Sequence, residues 1–130
     1  MLRNAIILVL LVFAVGCGAR KAAIEDVEQA GETFFKQFDE ANYDAIYKST
    51  SEEYKKGRTR DETVADLRQI AEFGKIHSYT RTQTPILNDG KIVQPIYKVS
   101  LDKARGSIEL SFIDEKGEWK LHGFLFKKAG

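Results

Sequence analysis

Residues 107–127 read SIELSFIDEKGEWKLHGFLFK, and the fold turns on them. Strands are expected over 107–113 and 118–127: apolar and polar side chains alternate through 107–112 and again through 118–122, the period-two pattern of strands with one face on a core. Between them Asp114-Glu115-Lys116-Gly117 supplies a turn, with Gly117 free to take a left-handed conformation. Across a four-residue loop Ile113 faces Glu118. Phe112 then opposes Trp119, Leu110 opposes Leu121 and Glu109 opposes His122. A slip of one residue would set Phe112 against Lys120 and Leu110 against His122, spoiling both faces.

Two more strands precede this hairpin. One is expected over 76–87 and one over 91–101, joined at Asn88-Asp89-Gly90, with 102–106 as the next loop. Pro95 lacks a ladder donor, so it marks either a bulge that curves the sheet or an edge. Upstream the period changes to that of a helix. Ile24, Val27, Gly31, Phe34, Phe38 and Ala41 recur at spacings of three and four, which predicts a helix over 22–41. A short helix is expected over 44–49. A third begins at the capping box Thr59-Arg60-Asp61-Glu62, carries Val64, Leu67, Ile70 and Ala71 inward, and stops at Gly74. Three helices on one face of a curved four-stranded antiparallel meander make an α+β domain over residues 24–130.

The first residues read differently. Arg3 precedes the unbroken apolar run Ala5–Val15. At 1.5 Å per residue this run spans about 16 Å, against about 30 Å for a bilayer core. It fits the h-region of a signal peptide. Ala14-Val15-Gly16-Cys17 resembles the lipobox of bacterial lipoprotein signal peptides. That resemblance implies cleavage of residues 1–16, a diacylglycerol thioether on Cys17 and residues 17–23 as tether. With Gly18 and no aspartate after the cysteine, it also implies the periplasmic side of the outer membrane in a Gram-negative cell. A plain secretory signal or a packed first helix are the alternatives.

Charge and composition exclude several classes. The chain holds 20 Lys+Arg and 19 Asp+Glu, and loss of Arg3 brings the signs level. General nucleic-acid binders carry a clear basic excess, so no nucleic acid is expected as a partner. One cysteine and two histidines leave no internal disulfide, no Cys-based zinc site and no expected metal or cofactor. Lys55-Lys56-Gly57-Arg58-Thr59-Arg60 is basic enough to meet an anionic surface, and a solvated loop between helices is the plainer reading.

A long first helix, shorter helices and a curved meander resemble the nuclear-transport-factor-2-like (cystatin-like) superfamily. Gly117-Glu118-Trp119-Lys120-Leu121-His122-Gly123-Phe124 looks like the closing strand of its small bacterial lipoproteins, and Phe34-Phe35 with Asn42-Tyr43-Asp44-Ala45 looks like their helical half. The resemblance covers roughly 24–127. It implies a location and a fold. Enzymes of this superfamily, isomerases and dehydratases, hold an Asp or an Asp/His pair in the cone between sheet and helices.

Here no carboxylate is expected to face that cone, so no catalytic residue is assigned. Phe34, Phe38, Tyr97, Phe112, Trp119 and Leu121 are expected there instead, either as a filled core or as the wall of an apolar ligand pocket. Ile92, Ile96, Phe124 and Phe126 are expected on the opposite sheet face, where they would suit a homodimer or an envelope partner. Glu109 and His122 form a candidate cross-strand pair. His77 lies too far from His122 in a meander to share a metal. The expected function is a lipid-anchored, non-enzymatic binding or accessory module of the cell envelope. The alternatives are a small pocket enzyme and a structural subunit.

Overall fold

The computed structural model describes residues 23–130. The signal segment 1–16, Cys17 and the tether as far as Ala22 lie outside the described residues, and Ala23 already belongs to a helix. Helix α1 (23–39) buries Val27, Gly31, Phe34 and Phe38 of the expected stripe, with Phe35 beside them, whereas Ile24 is half-buried and Ala41, expected inside the helix, lies beyond its end and is exposed. It stops when Ala41 turns left-handed (φ 57°) and Asn42 N–H donates to the Gln37 carbonyl at 2.8 Å. Asn42 then caps α2 (Tyr43–Lys48), whose Ile46 is fully buried.

A further helix, α3 (Glu52–Gly57), lies where a loop was expected, so the described residues hold four helices rather than three. Its signals are terminal ones. Ser51 Oγ accepts from Tyr54 N–H at 3.0 Å, Glu52 and Glu53 fill the first turn, and Lys55 and Lys56 fill the last. It buries no residue, so no apolar period announces it. The capping box of α4 (Arg60–Ala71) forms as expected: Thr59 Oγ1 accepts from Glu62 N–H while Glu62 Oε1 accepts from Thr59 N–H. Gly74, at φ 93°, closes this half.

The sheet is a curled antiparallel meander, and both of its first two expected strands are broken. The first divides into β1 (Ile76–Gln83) and β2 (Ile86–Leu87) around Pro85, the second into β3 (Ile92–Val93) and β4 (Ile96–Leu101) around Pro95. β1 pairs with β4 and β2 with β3, and both β4 and β3 pair with β5 (Arg105–Glu115). Pro95 is therefore interior and buried, a bulge rather than an edge: its carbonyl accepts from Leu110 N–H at 3.0 Å. β5 pairs on its other side with β6 (Glu118–Lys128).

The hairpin register departs from expectation. Glu115 faces Glu118, so the loop is the two residues Lys116-Gly117, both at positive φ (55° and 86°). Phe112 consequently opposes Leu121, and Trp119 opposes Asp114. A shift follows between Ser111 and Phe112, where Gly123 faces Ser111 and His122 is left over as a bulge. Beyond it Phe124 opposes Leu110 and Phe126 opposes Ile108. One extra residue turns the strand over. Leu121 faces the helices before the bulge, and Phe124 and Phe126 face them after it.

The core lies between this face and the helices. Phe34, Phe35 and Phe38 of α1, Ile46 of α2 and Leu67 and Ile70 of α4 meet Tyr97, Val99, Ile108, Leu110, Phe112 and Leu121 of the sheet. Among the described residues no helix is long and apolar enough to cross a membrane.

Candidate functional site

Register decides which side chains meet. Phe34, Phe112, Trp119 and Leu121, four of the six expected pocket residues, line a cavity of about 120 Å³ with Ala30, Thr33, Gln37 and Ser49. Small-molecule sites usually exceed about 300 Å³. The other two, Phe38 and Tyr97, sit in packed core. Phe38 stacks along Phe34 with centroids 6.3 Å apart, and Phe35 meets Tyr97 edge-on at 4.9 Å. Burial pushes the Tyr97 phenol up to about 12, with Arg81 opposing the rise, so at neutral pH it keeps its proton.

The larger apolar opening lies elsewhere. Between α4 and β6 runs a cleft of about 390 Å³. Ile70 and Phe73 form one wall, Phe124 and Phe126 the other, with Leu125 between them and Asp66 and Gln69 completing the lining. Phe73 and Phe126 lean together at 5.4 Å between centroids, and Phe124 meets Phe34 at 6.0 Å. Phe124 and Phe126 are thus not on the outer sheet face. The signal that could have found this is Gly123 beside His122, a small residue where a strand can kink.

Ile92 and Ile96 do face outward, half-buried, while their neighbours Val93 and Tyr97 point in. Leu87 faces Ile92, Ile92 faces Ile113, and Leu125 joins the same face opposite Glu109. Leu87 and Leu125 are exposed.

Glu109 and His122 do not pair. Glu109 lies opposite Leu125 and takes an ion pair from Lys127 at 3.3 Å. The bulge aims His122 at α3 instead, with Nδ1 3.1 Å from Ser51 Oγ. A serine beside a histidine invites a nucleophile reading. Ser51 is fully buried, however, and its oxygen already accepts from Tyr54 N–H. The pair fastens α3 to β6, together with Ser51 N–H donating to the Leu121 carbonyl at 2.8 Å.

Buried polar side chains among the described residues are Thr50, Ser51 and Thr63, and no Asp or Glu is among them. His77 contacts Asp102 on the surface, where Asp102 also accepts from Lys75 N–H at 2.8 Å. That backbone bond, then His77, holds the Asp102 carboxyl below its usual value. The basic run near residue 58 is mostly neutralised in place. Arg58 pairs with Asp66 and Glu62, Arg60 with Asp44 and Asp61, and Lys55 lies over the Tyr47 ring.

No family model and no curated protein matches this chain.

Proposed function

We propose that this chain is a lipid-anchored envelope module that binds an apolar group in the α4–β6 cleft and performs no chemistry of its own. One observation carries the reading. Ile70, Phe73, Phe124 and Phe126 leave an opening of about 390 Å³ lined mostly by apolar side chains, with Asp66 and Gln69 beside them. Predominantly apolar walls with a few polar groups are what an apolar ligand, or an apolar segment of a partner, requires. The Ala14-Val15-Gly16-Cys17 motif supports the anchor, and several acyl chains at about 0.8 kcal/mol per buried methylene would hold it firmly. The long α1 against a curled meander supports membership of the nuclear-transport-factor-2-like (cystatin-like) superfamily.

The direction of α1 fits this arrangement. Its first described turns lie beside Gly117 and Trp119, and at its other end Asp39 Oδ1 accepts from Ile76 N–H at 3.1 Å. The described chain therefore enters α1 near the Lys116-Gly117 turn. The open side of the sheet supports a second reading, a structural subunit that pairs through Leu87, Ile92, Ile96, Ile113 and Leu125, of which Leu87 and Leu125 are the most exposed.

Native mass spectrometry of the full-length product from its own membranes tests both. The expected mass is that of a chain beginning at acylated Cys17, carrying a bound apolar molecule that Phe126→Asp abolishes. A mature chain retaining Met1 overturns the anchor. Retention of the ligand by Phe126→Asp overturns the cleft. A stable dimer that Leu125→Asp dissociates would favour the second reading.

A further inference from the structure

On the outer sheet face, at the end away from the Lys116-Gly117 turn, two cross-strand rows contain no acid. Ser78 faces Ser100 and Ser100 faces Arg105; Thr80 faces Lys98 and Lys98 faces Ser107. Residues opposite one another share a face, and so do residues two apart on one strand, so all six side chains point the same way. They point away from the helices, because Val99 between them is buried. Ser78, Thr80, Lys98, Ser100 and Arg105, with Val99 beneath, line a hollow of about 250 Å³. The grid measures about 10 Å across the strands and about 7 Å along them.

All six can donate hydrogen bonds, and two carry permanent positive charge. The two carboxylates that flank the grid are occupied: Glu109 by Lys127, and Asp102 by Lys75 N–H and His77. Arg58 and Arg60, by contrast, are paired. Lys98 and Arg105 make no ion pair among the described residues, and the grid escaped the sequence because its members are scattered from 78 to 107 and converge only through strand pairing.

We propose that this hollow binds a phosphate group, with the Arg105 fork and the Lys98 ammonium meeting its oxygens and the Ser78, Thr80 and Ser100 hydroxyls completing the donor set. A tetrahedral oxyanion accepts on several oxygens, which suits a planar guanidinium, a point charge and hydroxyls arrayed over one small area. The phosphate could be free or part of a phospholipid headgroup; the chemistry is shared.

The test uses the full-length protein in non-ionic detergent and follows its backbone amides by NMR. Inorganic phosphate and glycerol 3-phosphate are titrated separately, with sodium chloride at matched ionic strength as control. Saturable shifts at Ser78, Thr80 and Ser100, absent with chloride, are expected. The exposed pair Lys98→Gln/Arg105→Gln should weaken binding by about tenfold or more while leaving amides on the helical side unmoved. Tighter binding of glycerol 3-phosphate assigns the site to a headgroup; equal or weaker binding assigns it to free phosphate. Shifts no larger than those from chloride, or unchanged affinity in the double variant, overturn the proposal.

Discussion

The Tyr97 hydroxyl occupies the space where a side chain at position 31 would begin: a Cβ on Gly31 would collide with Tyr97 Oη. Gly31 is therefore a packing glycine in the interior of α1, kept despite a helix-propensity cost of about 1 kcal/mol relative to alanine. Gly31→Ala should destabilise the protein by about 1–3 kcal/mol through overpacking. In a Tyr97→Phe background the obstructing oxygen is gone, and Gly31→Ala should be neutral or stabilising. Urea unfolding of the four proteins of this cycle checks the coupling, and additive effects would sink it.

The bulge at His122 makes a contrast along one strand. Phe124 and Phe126 pack on the core, whereas Leu125 between them is 49% exposed. Phe124→Ala and Phe126→Ala should each cost about 2 kcal/mol, below the range for a fully buried phenylalanine because both are half-buried. Leu125→Ala should change stability by less than about 0.5 kcal/mol. The unshifted register would reverse this order. Thermal or chemical unfolding of the three variants decides between them.

This strand also shows how far the sequence could be read. Class, meander and the α1 stripe were legible because burial there imposes a regular period, as at Val27, Phe34 and Phe38. The capping box at Thr59 was legible because its chemistry is local. The hairpin register was not. A two-residue loop with Lys116 left-handed is invisible in a pattern that suits a four-residue loop equally well, and a single extra residue at His122 reverses the faces after it. The α4–β6 cleft and the Ser78–Arg105 hollow both depend on cross-strand partners, so neither could be assembled from neighbours in the chain.

Three carboxyls contribute to the acid side of the stability curve. Asp44 is held below its usual value chiefly by its hydrogen bond from Arg60, Glu62 by Thr59 N–H, and Asp102 by Lys75 N–H. A carboxyl lowered in the folded state contributes stability above its unfolded value, near 4, and loses that contribution as pH falls through the folded value. Urea midpoints should thus stay level from neutral pH to about 5 and decline below about 4. Asp102→Asn should be less stable than the parent at neutral pH and should decline less steeply in acid. A parent whose midpoint is unchanged at pH 3 would contradict this account.

The turn between β5 and β6 offers a gain in stability. Lys116 and Gly117 both have positive φ, and a non-glycine residue there strains by about 1 kcal/mol or more. Asparagine tolerates the left-handed region better than lysine, and Asn-Gly is the preferred pair for such a loop. Lys116→Asn should stabilise by about 0.5 kcal/mol, and Gly117→Ala should destabilise by about 1 kcal/mol or more. One term opposes the gain. Lys116 lies among Glu52, Glu115 and Glu118, of which only Glu118 has a second cation, Lys120, so its removal weakens the local charge balance. All are at the surface, where added salt screens this interaction within about a Debye length. The benefit of Lys116→Asn should therefore grow with ionic strength, while the cost of Gly117→Ala should not. Denaturant melts at low and high sodium chloride separate the two contributions, and a Lys116→Asn protein weaker than the parent at high salt would mean that its backbone is not strained.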